Sequence, residues 1–188
     1  MAYSKLSREM EIINNKLLTT EERLGVTLRN LGSLKDDELR AREQLDEIKE
    51  ILFQSKEKTK IVKLPLIPKN YYVELSEATE AIGEMVSELD KRPISIKTLN
   101  TRVDTARDLV LKVYNTINET TKTARMAEMA IVYGNRYRTV NKDVDLGITK
   151  AENAFVKGNY KNSLEQAISA INIVEPGIHK KLLEEYKD

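Results

Sequence analysis

The chain has 188 residues, enough for one or two compact domains, and carries 31 basic and 30 acidic side chains for a formal charge of +1. That balance creates no overall field for nucleic acid, and the absence of cysteine excludes disulfides, thiolate catalysis and cysteine-based zinc sites. Scarce aromatics, no Trp and 32% charged residues fit an all-α protein of elongated helical bundles better than a large round core.

The first predicted element is a helix from Tyr3 to about Lys60 with a seven-residue apolar repeat. One seam position holds Tyr3, Met10, Leu17, Leu24, Leu31, Glu38, Leu45 and Leu52; its partner position holds Leu6, Ile13, Thr20, Thr27, Leu34, Ala41 and Ile48. Spacing of this kind is what left-handed helix packing requires, and some 50 residues give a rod of roughly 75 Å. Gly32-Ser33 interrupts the seam, with Asp36 placed for a capping interaction. Glycine costs only about 1 kcal/mol against alanine in a helix, so the spacing favours a kink there, with a tight hairpin as the alternative.

Pro65 and Pro68 make residues 61–70 an extended loop. A second helix is expected over Tyr71–Asp90, with Tyr72, Leu75, Thr79, Ile82, Val86 and Leu89 on one stripe. After the Lys91-Arg92-Pro93 turn, Ser95 opens a third helix. Its seam is Ile96, Val103, Val110, Ile117, Ala124 and Ile131, interleaved with Leu99, Ala106, Val113, Thr120 and Ala127. Then come helices over about Val140–Val156 and Tyr160–Val174, a Gly158-Asn159 turn between them, and a short tail helix after Pro176.

The second helix is long enough to cover only the C-terminal half of the first. Long helices shared between successive antiparallel three-helix bundles are the spectrin-repeat arrangement. On that basis residues 1–34 belong to a preceding, truncated bundle, residues 35–120 form a central bundle and residues 121–188 a C-terminal one. The uncovered Tyr3–Leu31 seam is expected to pair with a second copy of the chain.

Catalytic constellations are hard to assemble. The sole histidine, His179, reads as a solvated residue beside Lys180 and Lys181, so no His-based triad or metal cluster exists. No phosphate loop is present: Gly147 and Gly158-Asn159 lack the spacing and the lysine. Asp36, Asp37, Glu38, Glu43, Asp46 and Glu47 read as a solvated face with i,i+4 partners such as Arg40 and Arg42. No enzyme activity, cofactor or metal is expected. Lys56, Lys58, Lys60 and Lys63 read as a solvated helix end, with a membrane or nucleic-acid contact as the rival. Ala151, Phe155, Gly158, Tyr160, Leu164 and Ala167 imitate one tetratricopeptide unit. A repeat fold needs about three, so a plain hairpin is favoured over a peptide-binding module.

The distinctive surface is Tyr133-Gly134-Asn135-Arg136-Tyr137-Arg138. The bland reading is a helix end with Gly134 and Asn135 in left-handed geometry and the tyrosines packed locally. The functional reading is an exposed recognition patch, because Tyr and Arg combine a large apolar body with directional polar groups.

Ala127-Glu128-Met129-Ala130-Ile131-Val132 followed by that hexapeptide resembles the septation ring formation regulator EzrA family of Gram-positive bacteria. So do Lys35–Arg42, the Leu64-Pro65-Leu66-Ile67-Pro68 loop and Val174-Glu175-Pro176-Gly177-Ile178-His179. The resemblance covers essentially the whole chain. It implies a protein with one N-terminal membrane-spanning helix and a cytoplasmic arch of spectrin-like bundles. Such a protein acts at the division septum as a negative regulator of FtsZ assembly and as an adaptor to other division and wall-synthesis proteins. This chain would be the C-terminal part of that arch, soluble by itself, with Met1 a start created by truncation. The resemblance also implies that Tyr133, Gly134, Asn135, Arg136, Tyr137 and Arg138 serve recruitment to mid-cell, although Val132 stands where the family pattern often has glutamine. On this reading Arg136 and Arg138 pair with acidic partner segments, such as the acidic tail of FtsZ, while Tyr133 and Tyr137 anchor.

Overall fold

The computed structural model describes residues 2–178, with side chains from Ser7 onward. The predicted tail helix and His179 therefore lie outside the described residues, as do the side chains of Tyr3 and Leu6. Five α-helices and no strand occur among the described residues: α1 (Ala2–Ile61), α2 (Lys69–Leu89), α3 (Ile96–Gly134), α4 (Lys142–Val156) and α5 (Tyr160–Asn172).

Helix α1 runs unbroken for 60 residues across Gly32-Ser33, which rules out the hairpin and leaves Asp36 in mid-helix rather than at a cap. A loss of about 1 kcal/mol at one glycine is spread over a helix that keeps its register on both sides. The two halves of α1 differ sharply. In the N-terminal half the seam side chains Met10, Ile13, Leu17, Leu24, Leu31 and Leu34 are 43% to 63% exposed. From Ala41 onward the same seam is buried: Ala41, Leu45, Ile48 and Leu52 enter a core with Tyr71, Ala78, Ala81, Met85 and Leu89 of α2 and Leu99 to Ile117 of α3. Ion pairs fix the directions. Arg102–Glu84 and Lys112–Glu74 (3.7 Å) set α2 antiparallel to α3, and Arg92–Glu38 (3.5 Å) ties the α2–α3 turn to α1.

The buried face of α2 is rotated about one residue from the expected stripe. Tyr72 is 55% exposed and Thr79 is exposed, while Tyr71, Ala78, Ala81 and Met85 face inward, with Leu75, Ile82 and Val86 flanking them. The two alanines explain the shift: small side chains at the centre let α2 approach its neighbours closely, and the larger ones fill the sides. Ser95 opens α3 as expected, its hydroxyl accepting from the Thr98 N–H at 3.4 Å. The α3 seam is buried as read, except that Ile96 is partly exposed and at the junction Thr121 rather than Thr120 points inward.

The C-terminal third of α3 is reused. Ala130 and Ile131 pack with Val144, Ile148 and Ala151 of α4, Ala167, Ala170 and Ile171 of α5, and Ile178. Asn141, with extended backbone, caps α4 by accepting from the N–H groups of Asp143 (2.9 Å) and Val144 (3.2 Å), so α4 starts at Lys142 rather than Val140. The α4–α5 turn carries Gly158 at φ +76°, a region that favours glycine. This turn abuts the proline loop. The Tyr160 hydroxyl donates to the Leu66 carbonyl at 2.6 Å and accepts from the Leu66 N–H at 3.2 Å, joining the two bundles beside the shared helix.

Candidate functional site

The hexapeptide sits where α3 passes into a single 3-10 turn, Asn135–Tyr137. The expected left-handed cap is absent. Gly134 (φ −65°, ψ −28°) and Asn135 (φ −54°, ψ −29°) are both right-handed, and the backbone continues the helix. Glycine is required at 134 for space. It is buried, and an added Cβ would fall 2.9 Å from Ile148 Cγ1, closer still to Ile148 Cδ1, and 3.3 Å from Ile171 Cγ1. The absent side chain lets α4 and α5 press against the end of α3.

The remaining five residues divide by environment. Tyr133 and Tyr137 are half-buried one turn apart, their ring centroids 6.2 Å from each other. Both hydroxyls donate to one oxygen, Oε2 of Glu175, at 2.6 Å and 3.0 Å. The hydrogen bond to this carboxylate pushes the Tyr133 phenol up to about 12, because ionisation would place two anions in contact. Arg136 is exposed, its guanidinium carbon 3.9 Å above the Tyr133 ring centroid, in a cation–π stack. Asn135 is exposed, and so is the preceding Val132, at 64%.

Arg138 behaves differently from Arg136. Its Nε donates to Asp145 Oδ1 and its Nη1 to Glu152 Oε1, both at 2.8 Å. Its Nη2 donates to Thr149 Oγ1 at 2.9 Å, and Nη1 also reaches Asn135 Oδ1 at 3.2 Å. Asp145, Thr149 and Glu152 are successive turns of one face of α4, so the planar fork straps the 3-10 turn onto that helix. These hydrogen bonds to two carboxylates, Asp145 first, raise the guanidinium further above its ordinary range. Half of the expected cationic pair is thus committed inside the molecule, and Arg136 is the outward-facing member. Sequence reading missed Glu175, although its motif is visible, because nothing in linear spacing says that a segment about 40 residues away returns to the patch.

Elsewhere the charged and glycine-containing motifs are held by contacts within the molecule. Glu38 accepts from Arg42 at 2.8 Å, an i,i+4 pair, and this hydrogen bond leads the lowering of its carboxyl below the usual range. Lys60 donates to Glu57 at 2.6 Å within the helix end, whereas Lys58 reaches across to Asn118 of α3, so part of the lysine cluster is engaged inside the molecule. The tetratricopeptide-like segment is one hairpin, α4–α5, closed on α3 with Phe155 and Tyr160 edge to face at 5.1 Å. Among the described residues no group of acidic or histidine side chains is placed to hold a metal ion, and no helix is long and apolar enough to cross a membrane.

These features define a class: elongated all-helical proteins built of three-helix bundles that share long helices, with their distinctive chemistry on a surface rather than in a cavity. Comparison with known families is specific. Residues 1–186 match the family described as Septation ring formation regulator, EzrA, and the chain belongs to that family of cell-division regulators. It is 32% identical over 79% of its length to the septation ring formation regulator EzrA of Geobacillus sp. (strain WCH70), where the match covers 26% of the relative. It is 28% identical over its full length to that of Listeria monocytogenes serotype 4b (strain CLIP80459), covering 33% of the relative. The chain therefore spans about a quarter to a third of the curated relatives it matches. No solved structure matches it.

Proposed function

We propose that this chain is the C-terminal part of the cytoplasmic rod of a membrane-anchored division regulator. In this reading the protein restrains FtsZ ring assembly and links it to other division and wall-synthesis proteins at the septum. The family assignment supports the setting. The observation that carries the mechanism is Arg136: an exposed guanidinium stacked on the Tyr133 ring at the end of α3. A stacked arginine keeps its donors free for a partner carboxylate while its body is already ordered, which lowers the entropy cost of binding. Asn135, Arg136 and the exposed edges of Tyr133 and Tyr137 form the contact surface. Gly134 and Arg138 hold it in shape.

The test is Arg136→Glu in the full-length protein. We expect loss of mid-cell recruitment of a fluorescent fusion and at least about fivefold weaker binding to purified FtsZ or its acidic tail, as for a hot-spot arginine. Unchanged recruitment and binding would remove the patch from the mechanism. Arg138 is unsuited to this test, since its loss leaves Asp145 and Glu152 unpaired.

We also propose that the exposed seam of α1 is a pairing surface and that the isolated chain associates through it with a second copy. Sedimentation equilibrium at high micromolar concentration is expected to show dimer, and a strictly monomeric chain would refute the pairing.

A further inference from the structure

Two sequence motifs that look unrelated in the chain meet at one atom. Tyr133 and Tyr137 lie 42 and 38 residues before Glu175, yet both phenols end on its Oε2. A tyrosine ring has two side-chain torsions, so tethering its far end leaves it little freedom. The tether itself is firmly held. The Glu175 N–H donates to the Ile171 carbonyl at 2.8 Å, the Gly177 N–H donates to Asn172 Oδ1 at 3.2 Å, and Ile178 is fully buried in the second core. The backbone that carries the carboxylate is thus anchored to the frame on both sides. Because Arg136 rests on the Tyr133 ring, the orientation of that ring sets where the guanidinium lies.

We infer that Glu175 is the positioning residue of the docking patch, holding both tyrosines so that Arg136 is presented, already ordered, to a carboxylate-rich partner segment. The inference rests on the reading of the hexapeptide as a docking surface. It extends that surface to the segment after α5. The partner chemistry follows from the charges: Glu175 is satisfied by the phenols and Arg138 by α4, which leaves Arg136 as the outward cation of the patch. An acidic peptide complements it.

The experiment uses the 188-residue chain and a fluorescein-labelled acidic peptide of alternating Asp and Glu, read by anisotropy at low salt. Glu175→Ala is expected to weaken binding roughly tenfold through lost ordering of two side chains and the stacked arginine. Glu175→Gln retains an oxygen that accepts from both phenols and is expected to keep wild-type affinity. In that variant the Tyr133 titration, followed by NMR of 13C-labelled tyrosine, moves from about 12 towards the ordinary phenol value, because the charge is gone. Tyr133→Phe with Tyr137→Phe keeps both rings and the buried frame and is expected to match the loss in Glu175→Ala. Wild-type affinity in both Glu175→Ala and the double phenylalanine variant, with binding lost in Arg136→Glu, overturns the positioning role and leaves the patch standing. Wild-type affinity in Arg136→Glu overturns the patch reading and this inference with it.

Discussion

Gly134→Val will lower the stability of the second bundle by about 3 kcal/mol, and Gly134→Ala by about 1 kcal/mol, although alanine is the better helix former. The two contributions to the alanine variant oppose each other. Gly134 has right-handed helical geometry, so alanine gains about 1 kcal/mol from reduced unfolded-state freedom. Against it stands a Cβ lodged within 3 Å of two Ile148 carbons, and Ile148 and Ile171 are both fully buried, with no solvent to move into. Overpacking of this kind costs about 1–3 kcal/mol, and it decides the sign. Gly83 provides the internal control. It lies within α2, is exposed, and nothing stands within 4 Å of an added Cβ, so Gly83→Ala is expected to stabilise by about 1 kcal/mol. Denaturant unfolding of the variants, with hydrogen exchange of α4 and α5 amides, checks both directions. Equal shifts for Gly134→Ala and Gly83→Ala would show that the close approach at Gly134 is not real.

The heptad spacing was enough to foresee α1 and α3, because an apolar repeat at 3.5 residues marks a packing face, although in the N-terminal half of α1 that face is exposed. Ser95 and the Pro65–Pro68 loop marked boundaries for equally local reasons. What escaped were properties that depend on two separated segments meeting. The buried face of α2 is centred on Ala78 and Ala81, and alanine says little until the neighbouring helix is known to come close. Gly134 has the residue type of a helix stop but is selected by the side chains of Ile148 and Ile171. Arg138 looked as outward as Arg136 because the carboxylates that bind it belong to α4, whose placement against the end of α3 is a tertiary fact. Glu175 shows the same limit most plainly. The tyrosines stand out in the sequence, but the group that orders them is contributed by the chain after α5.

Arg125→Pro tests the remaining large claim, that α3 is the strut coupling the two bundles. We propose that the boundary between the central and C-terminal bundles falls near residues 120 and 121. The proposal is drawn from the two cores: on α3 the first extends to Ile117 and the second begins at Ala130. Between them α3 is continuous helix, and the exposed side chain of Arg125 makes the substitution a backbone perturbation. Proline there removes one N–H···O=C bond and clashes with the Thr121 carbonyl, at a cost of about 3 kcal/mol or more. Neither core loses a side chain, so each bundle is expected to remain folded while the coupling between them weakens. Calorimetry should then resolve two transitions where the parent chain shows one, and small-angle scattering should broaden. The Tyr160–Leu66 contact is the second tie across the joint, its hydroxyl serving both the carbonyl and the N–H of one residue. Adding Tyr160→Phe to Arg125→Pro is therefore expected to separate the transitions further, while Tyr160→Phe alone, with α3 intact, leaves a single one. If Arg125→Pro still melts in one transition close to the parent temperature, the bundles are coupled by contacts other than the shared helix, and rigidity of the rod must be sought in the proline loop and the α4–α5 turn instead.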